Sequence, residues 1–181
     1  MSNPIYFSRF LVTNQVFYIS KHSYALVNLK PITPGHILIV PLRTSVVNLA
    51  DLTTEENADY FKTLQLVHRF IKHHYKADSL NIAVQDGPEA GQTVPHLHTH
   101  VIPRYRIHNI GDKIYELLDD WRIDDWPNRR LEYMQLGGRD GLKKLAKPDE
   151  QRVERTSESM SKEAQELAES LRKFMEANSE F

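Results

Sequence analysis

Residues 95–104 read PHLHTHVIPR and place His96, His98 and His100 on alternate positions. Side chains alternate faces along an extended strand, so these three imidazoles share one face over about 14 Å, and Leu97, Thr99 and Val101 share the other. Core packing does not call for this pattern, because histidine is only an intermediate choice for an interior. Three readings fit the string. The plainest is a half-solvated strand with exposed histidines. The second is metal binding: two alternate imidazoles can reach one zinc ion, but a third in line is awkwardly placed to complete a tetrahedron. The third is nucleophilic attack on phosphorus. A neutral imidazole is a competent nucleophile if its other nitrogen holds the proton against an acceptor. Neighbouring histidines, and the N–H groups of a glycine-bearing loop, would then meet phosphate oxygens. Only this last reading uses the histidines and the preceding loop together.

That loop is DGPEAGQTV, residues 86–94, with two glycines and a proline in a stretch that fits no regular element. Before it, residues 79–85 (SLNIAVQ) read as a strand, and residues 51–77 as the strongest helix. Thr53 and Glu56 form a capping box there. Tyr60, Phe61, Leu64, Val67 and Ile71 recur at helical spacing, with Leu66 and Phe70 widening the apolar face. Residues 16–19 (VFYI) and 24–29 (YALVNL) read as a hairpin turning at 20–23. Residues 30–35 (KPITPG) break the chain, and 36–40 (HILIV) form a buried strand closed by Pro41. The histidine strand runs over 96–102 and ends at Pro103. Residues 112–121 hold a short helix. Met160, Ala164, Leu167, Leu171 and Phe174 define an amphipathic C-terminal helix over about Ser157–Ala177. Strands, one long helix and further strands without strict alternation give an α+β fold with a mainly antiparallel sheet.

The chain has 181 residues, the size of one domain or one domain with a tail. The expected partition is a catalytic domain over residues 1–136, a flexible polar linker over 137–156, and the C-terminal amphipathic helix over 157–181. A formal charge of −1 gives no general pull toward nucleic acid or anionic lipid. The absence of cysteine excludes disulfides, thiolate metal sites and cysteine catalysis. Residues 1–10 lack the basic start and apolar core of a secretory signal, and no apolar run is long enough to span a bilayer. The expected location is the cytoplasm, with the nucleus second.

Residues 94–101 (VPHLHTHV) match the His-φ-His-φ-His-φ-φ signature of the histidine triad family, which the chain resembles. Residues 85–94 (QDGPEAGQTV), 34–40 (PGHILIV), 24–28 (YALVN) and 114–116 (IYE) are similar to the fragile histidine triad branch, which cleaves dinucleoside polyphosphates. The longer tail looks like that of fungal members. The resemblance implies a five-stranded antiparallel sheet with one major helix packed on it, and a two-fold homodimer with the long helix in its interface. It implies His98 as the nucleophile of a covalent nucleotidyl-imidazole intermediate, and His100 as the group binding the α-phosphate around the scissile bond. His96 would orient its neighbours, and His36 would join the cluster from the adjacent strand. Gly91, Gln92, Thr93 and Val94 would cradle phosphate and leaving-group oxygens, and Asn28 and Gln85 would touch the ribose or base. His100 favours water as acceptor, since related transferases and phosphorylases place glutamine there.

The chemistry agrees with that substrate. ADP or ATP leaves readily, so the main demand is to neutralise charge on the phosphates. No obligatory cofactor is implied, although Mg²⁺ or Mn²⁺ would accompany the polyphosphate. The branch has an N-terminal histidine near the base; residues 7–11 (FSRFL) have none, and Phe7 or Phe10 could stack there or belong to the core. Tyr115 would be a cover, a phosphorylation target or a plain surface tyrosine. Three rivals stay open: a binding module that signals through its occupied state, a zinc enzyme, and a nucleoside phosphoramidate hydrolase.

Overall fold

The segments richest in β-branched and aromatic residues become the centre of a sheet. The computed structural model describes residues 3–106, 111–118 and 154–178. Its strands are β1 (Tyr6–Phe7), β2 (Phe10–Leu11), β3 (Val16–Ile19), β4 (Ser23–Val27), β5 (Ile37–Pro41), β6 (Ser79–Val84) and β7 (Thr99–Arg104). Its helices are α1 (Thr54–His74), α2 (Lys113–Leu118) and α3 (Ser157–Ala177). The main sheet has five antiparallel strands in the order β3-β4-β5-β7-β6. β4 and β5 are buried along their whole length and pair from Ser23↔Pro41 to Val27↔Ile37. β7 inserts between β5 and β6, with Leu38↔His100 on one side and Ala83↔His100 on the other.

The pleat sorts residues onto two faces. Ala25, Val27, Ile37, Ile39, Leu97 and Val101 form one core with Tyr60, Val67, Phe70 and Ile71 of α1 and with Met160, Ala164, Leu167 and Leu171 of α3. Each fully buried large apolar side chain contributes about 1.5–3 kcal/mol. On the opposite face Tyr24, Leu26, Leu38 and Val40 pack with Ile5 and Val12. The C-terminal stripe read from the sequence therefore lies in the same core as the sheet, with Phe174 packed at its margin. Residues 137–153 lie outside the described residues, as do the last three positions of the helix expected over 112–121. Among the described residues no helix is long and apolar enough to cross a membrane.

Three expectations change, and one further element is new. The histidine segment is not one strand: β7 begins at Thr99, so His96 and His98 precede the ladder. Their alternation survives because the chain stays anchored there, with Leu97 N–H donating to Val46 O at 2.8 Å. Pro103 does not end β7 but pairs with Leu80. β5 flanks β7 only as far as Val101, so the missing N–H costs no ladder bond. Phe61 leaves the apolar face of α1 and is 48% exposed. Finally, β1 and β2 form an N-terminal hairpin that no sequence pattern announced. Tyr24 Oη holds it by donating to Tyr6 O at 3.0 Å.

The capping box at α1 is present as expected, with Glu56 N–H donating to Thr53 Oγ1 and Thr53 N–H to Glu56 Oε2. Glu56 also accepts two bonds from Arg43, at 2.7 and 2.6 Å. That guanidinium holds the Glu56 carboxyl down at about 2, against the cost of burial. A depressed carboxylate pKa adds stability that is present above its unfolded value near 4.5 and is lost as pH falls toward 2. Glu56→Gln is therefore expected to cost about 1.5–3 kcal/mol at neutral pH. Its deficit against the wild type should shrink on acidification across that window, as urea titrations at several pH values would show.

Candidate active site

Five predicted residues come together in a continuous chain of contacts. Asn28 follows β4, and Lys30 N–H donates to its Oδ1 at 2.9 Å. Asn28 Nδ2 lies 3.1 Å from His36 Nε2, and the same His36 nitrogen lies 2.9 Å from His100 Nδ1. The His100 ring is 5.0 Å from that of His98, edge to face. His98 Nδ1 lies 2.8 Å from the carbonyl oxygen of His96. His36, His96, His98 and His100 are all buried. The β5–β7 pairing carries His36, just ahead of β5, to the side of His100.

The partners fix where each proton sits, because a carbonyl can only accept and a main-chain N–H can only donate. His98 Nδ1 faces a carbonyl, so it carries the proton and its Nε2 keeps a lone pair. His96 Nε2 donates to Pro41 O at 2.9 Å, and its Nδ1 accepts from Ser8 N–H at 2.9 Å. His36 Nδ1 accepts from Ile32 N–H at 3.1 Å, which puts the proton of a neutral His36 on Nε2, aimed at His100 Nδ1. His100 then carries its own proton on Nε2. The result is a lone pair on His98 beside a donor on His100. With Nε2 of His36 protonated, Asn28 Nδ2 faces another donor, a contact that a ligand acceptor would relieve.

Burial disfavours the charged form of His96 and of His98. It pushes His96 down to about 4, helped by the nearby His98, with the Pro41 carbonyl pulling the other way. Burial also lowers His98, partly offset by the His96 carbonyl. Phe7 contributes to that burial: its ring centroid is 5.6 Å from that of His96 and 5.2 Å from that of His98. Of the two N-terminal phenylalanines, Phe7 thus packs on the triad and Phe10 stays 48% exposed.

The loop residues sit beside the histidines in the chain. Gly87 and Gly91 have φ of +116° and +85°, which only glycine adopts easily. Gln92 is buried, with Nε2 donating to Val47 O at 2.8 Å and Oε1 lacking a hydrogen-bond partner. One amide hydrogen is committed to Val47 and the second is left for another acceptor. Val94 O accepts from His96 N–H at 2.8 Å, which ties the loop to the triad. Thr93 is exposed, and Gln85 and Val94 are half-buried. Arg104 and Arg106 pair instead with Asn81 and Asp78 at the far end of β7. Tyr115 is exposed and accepts from Asn81 Nδ2 at 3.2 Å. Among the described residues no group of three His, Cys, Asp or Glu side chains is arranged to hold a metal ion.

Sequence reasoning missed Ser8, Pro41 and Ile32, which act through main-chain atoms. Ser8 is held at φ +54°, in the left-handed region, with none of the Gly or Asn residues that usually mark it.

The HIT domain family matches residues 10–107. The chain is 57% identical over 199 residues to a bis(5'-adenosyl)-triphosphatase of Saccharomyces cerevisiae, covering 98% of this chain and 97% of that one. It is 40% identical over 178 residues to the asymmetrical bis(5'-nucleosyl)-tetraphosphatase of Schizosaccharomyces pombe, covering 92% and 94%. The crystal structure of a Plasmodium falciparum diadenosine triphosphate hydrolase in complex with cyclomarin A superposes with a TM-score of 0.67 at 26% identity, over 96% of this chain and 87% of that one. With this geometry and these relatives, the chain belongs to the HIT family.

A lone pair on His98 Nε2 requires the neutral ring, and the depressed pKa keeps that lone pair available further toward acid. The acid limb of kcat/KM is expected below pH 6.5, the ordinary histidine value. Phe7→Ala would hydrate the ring and move that limb up toward 6.5; a limb that stays put would show that Phe7 is not what keeps water from His98.

Proposed function

We propose that this protein hydrolyses dinucleoside polyphosphates, diadenosine tri- and tetraphosphate, to AMP and ADP or ATP through a covalent nucleotidyl-histidine on His98. The observation that carries the reading is the hydrogen bond from His98 Nδ1 to His96 O, which leaves Nε2 as the nucleophilic nitrogen. The activities named for the fungal relatives support the substrate class.

In the first step His98 Nε2 bonds to the α-phosphorus while the bond from that phosphorus to the bridging oxygen breaks. ADP or ATP departs with the bridging oxygen and its electrons. The ring becomes positive, and its Nδ1–H bond to the His96 carbonyl strengthens as charge develops, which lowers the barrier selectively. In the second step water attacks the same phosphorus, the N–P bond breaks, AMP leaves with the water oxygen, and the water proton passes to solvent. His98 returns to its starting tautomer. His100 Nε2–H donates to the α-phosphate oxygens, and loop N–H groups with the second Gln92 hydrogen take the next phosphates. Asn28 meets a ribose oxygen. Mg²⁺ or Mn²⁺ enters bound to the polyphosphate and not to a protein site.

The protein acts as a homodimer in this reading. β6 is an edge strand with Ile82 41% and Val84 38% exposed, and Phe61 of α1 is exposed as well. Unpaired edges with apolar side chains favour association with a second copy. Light scattering is expected to give twice the chain mass, and Ile82→Lys to shift it to one chain mass.

Purified protein incubated with diadenosine triphosphate in excess EDTA, and again with Mg²⁺, should release equimolar AMP and ADP. His98→Asn should lose at least ~10³-fold in turnover, the scale on which nucleophile deletions act. Tight substrate binding without turnover in either buffer would favour the signalling module, and turnover that survives in His98→Asn would contradict the nucleophile.

A further inference from the structure

The turn between Asn28 and His36 is braced from behind by residues more than a hundred positions away. Arg155 N–H donates to Leu29 O at 3.1 Å, and Lys30 Nζ lies 3.5 Å from Glu154 Oε1. The Arg155 guanidinium is bonded to Glu163 of α3. The other Glu163 oxygen accepts from Tyr75 Oη at 2.7 Å. The Tyr75 ring in turn lies against Gly35, where an added Cβ would sit 2.6 Å from the ring edge. Gly35 has φ +81°, so the backbone there already needs glycine. Tyr75 is itself fixed from the sheet side, its carbonyl accepting from Tyr105 Oη at 3.2 Å. The loop of contacts thus starts one residue after Asn28 and ends one residue before His36.

Arg155 and Glu163 lie beyond the stretch that the HIT family matches. Their side chains are only 21% exposed, so water screens the pair weakly. The apolar stripe of α3 lies in the core on its own account, through Met160, Ala164, Leu167 and Leu171. We infer that Arg155, Glu163 and Tyr75 are positioning residues for the active site: by gripping the turn at Leu29 and Gly35 they set the spacing of Asn28 and His36, and so the contact of His36 with His100. The inference rests on the reading of His98 and His100 as catalytic residues. Its physical content is that the proton on His36 Nε2 reaches His100 Nδ1 only while the turn holds its shape.

Glu163→Gln removes the charge and keeps the side-chain size, and Tyr75→Phe removes the hydroxyl while leaving the ring on Gly35. Each is expected to lower kcat/KM for diadenosine triphosphate ~10-fold, since misplacements under 1 Å weigh heavily on such steps. The double variant should fall little further than either single one, because both cut the same brace. Lys173→Ala, which breaks the exposed Lys173–Glu169 pair of α3, should leave the rate unchanged. The ring ¹⁵N resonances of His36 and His100 should move in Glu163→Gln and Tyr75→Phe and stay in Lys173→Ala. Variants with lowered melting temperature but unchanged kcat, KM and ring resonances would overturn the inference, leaving the brace purely structural. A wild type without hydrolysis would fail the catalytic reading alone, since the ring resonances still report on the brace.

Discussion

His98 Nδ1 donates to the carbonyl oxygen of His96, two residues back and 2.8 Å away, and much of the structure serves to keep that short bond in place. A carbonyl two residues upstream can face an imidazole only if the intervening backbone is held extended. Neither His96 nor His98 is in the sheet ladder, so ladder bonds do not hold it. Leu97 N–H on Val46 O does so from one side, and Leu97 itself is locked into the core. His96 is then fenced by Ser8 and Pro41, which take both of its ring nitrogens. The acceptor for His98 Nδ1–H is therefore the carbonyl of a residue that cannot itself turn.

The sheet order follows from the same need. β7 lies between β5 and β6, which sets His100 beside the start of β5 and its His36. The alternate face of that segment ties it to the rest of the protein. Thr99 Oγ1 lies 2.7 Å from Tyr60 Oη, and Tyr60 Oη donates to Ile39 O at 2.9 Å. A polar bridge from α1 thus pins β5 and β7 at the position where their other face carries the imidazoles. Fold stability and site geometry share these groups, so loosening the helix layer reaches the histidines through Thr99.

The sequence made most of this legible, and the limits have physical causes. The alternation of His96, His98 and His100 against Leu97, Thr99 and Val101 follows from extended backbone, whether paired or not, so the two faces were readable while the strand boundary was not. Thr53 and Glu56 announced α1 because a capping box depends on local contacts. Phe61 was misplaced because an aromatic at the edge of an apolar stripe looks the same whether it faces the core or solvent. Pro103 looked like a terminator because a sequence does not show which flank of a strand is unpaired. The β1–β2 hairpin was missed because two-residue strands carry no period. Ser8, Ile32 and Pro41 act through backbone atoms, where side-chain identity gives no signal. The commitment of Gln92 to Val47 depends on a fold-level encounter that the sequence does not show.

The stereochemical course at the α-phosphorus tests the account most directly. A diadenosine triphosphate analogue with a sulfur of defined configuration on that phosphorus would be cleaved in ¹⁸O-water, and the configuration of the labelled product determined. Attack by His98 followed by attack by water inverts the centre twice, so the account predicts overall retention. Overall inversion would mean that water attacks the substrate directly, and that the His98 lone pair is not the nucleophile.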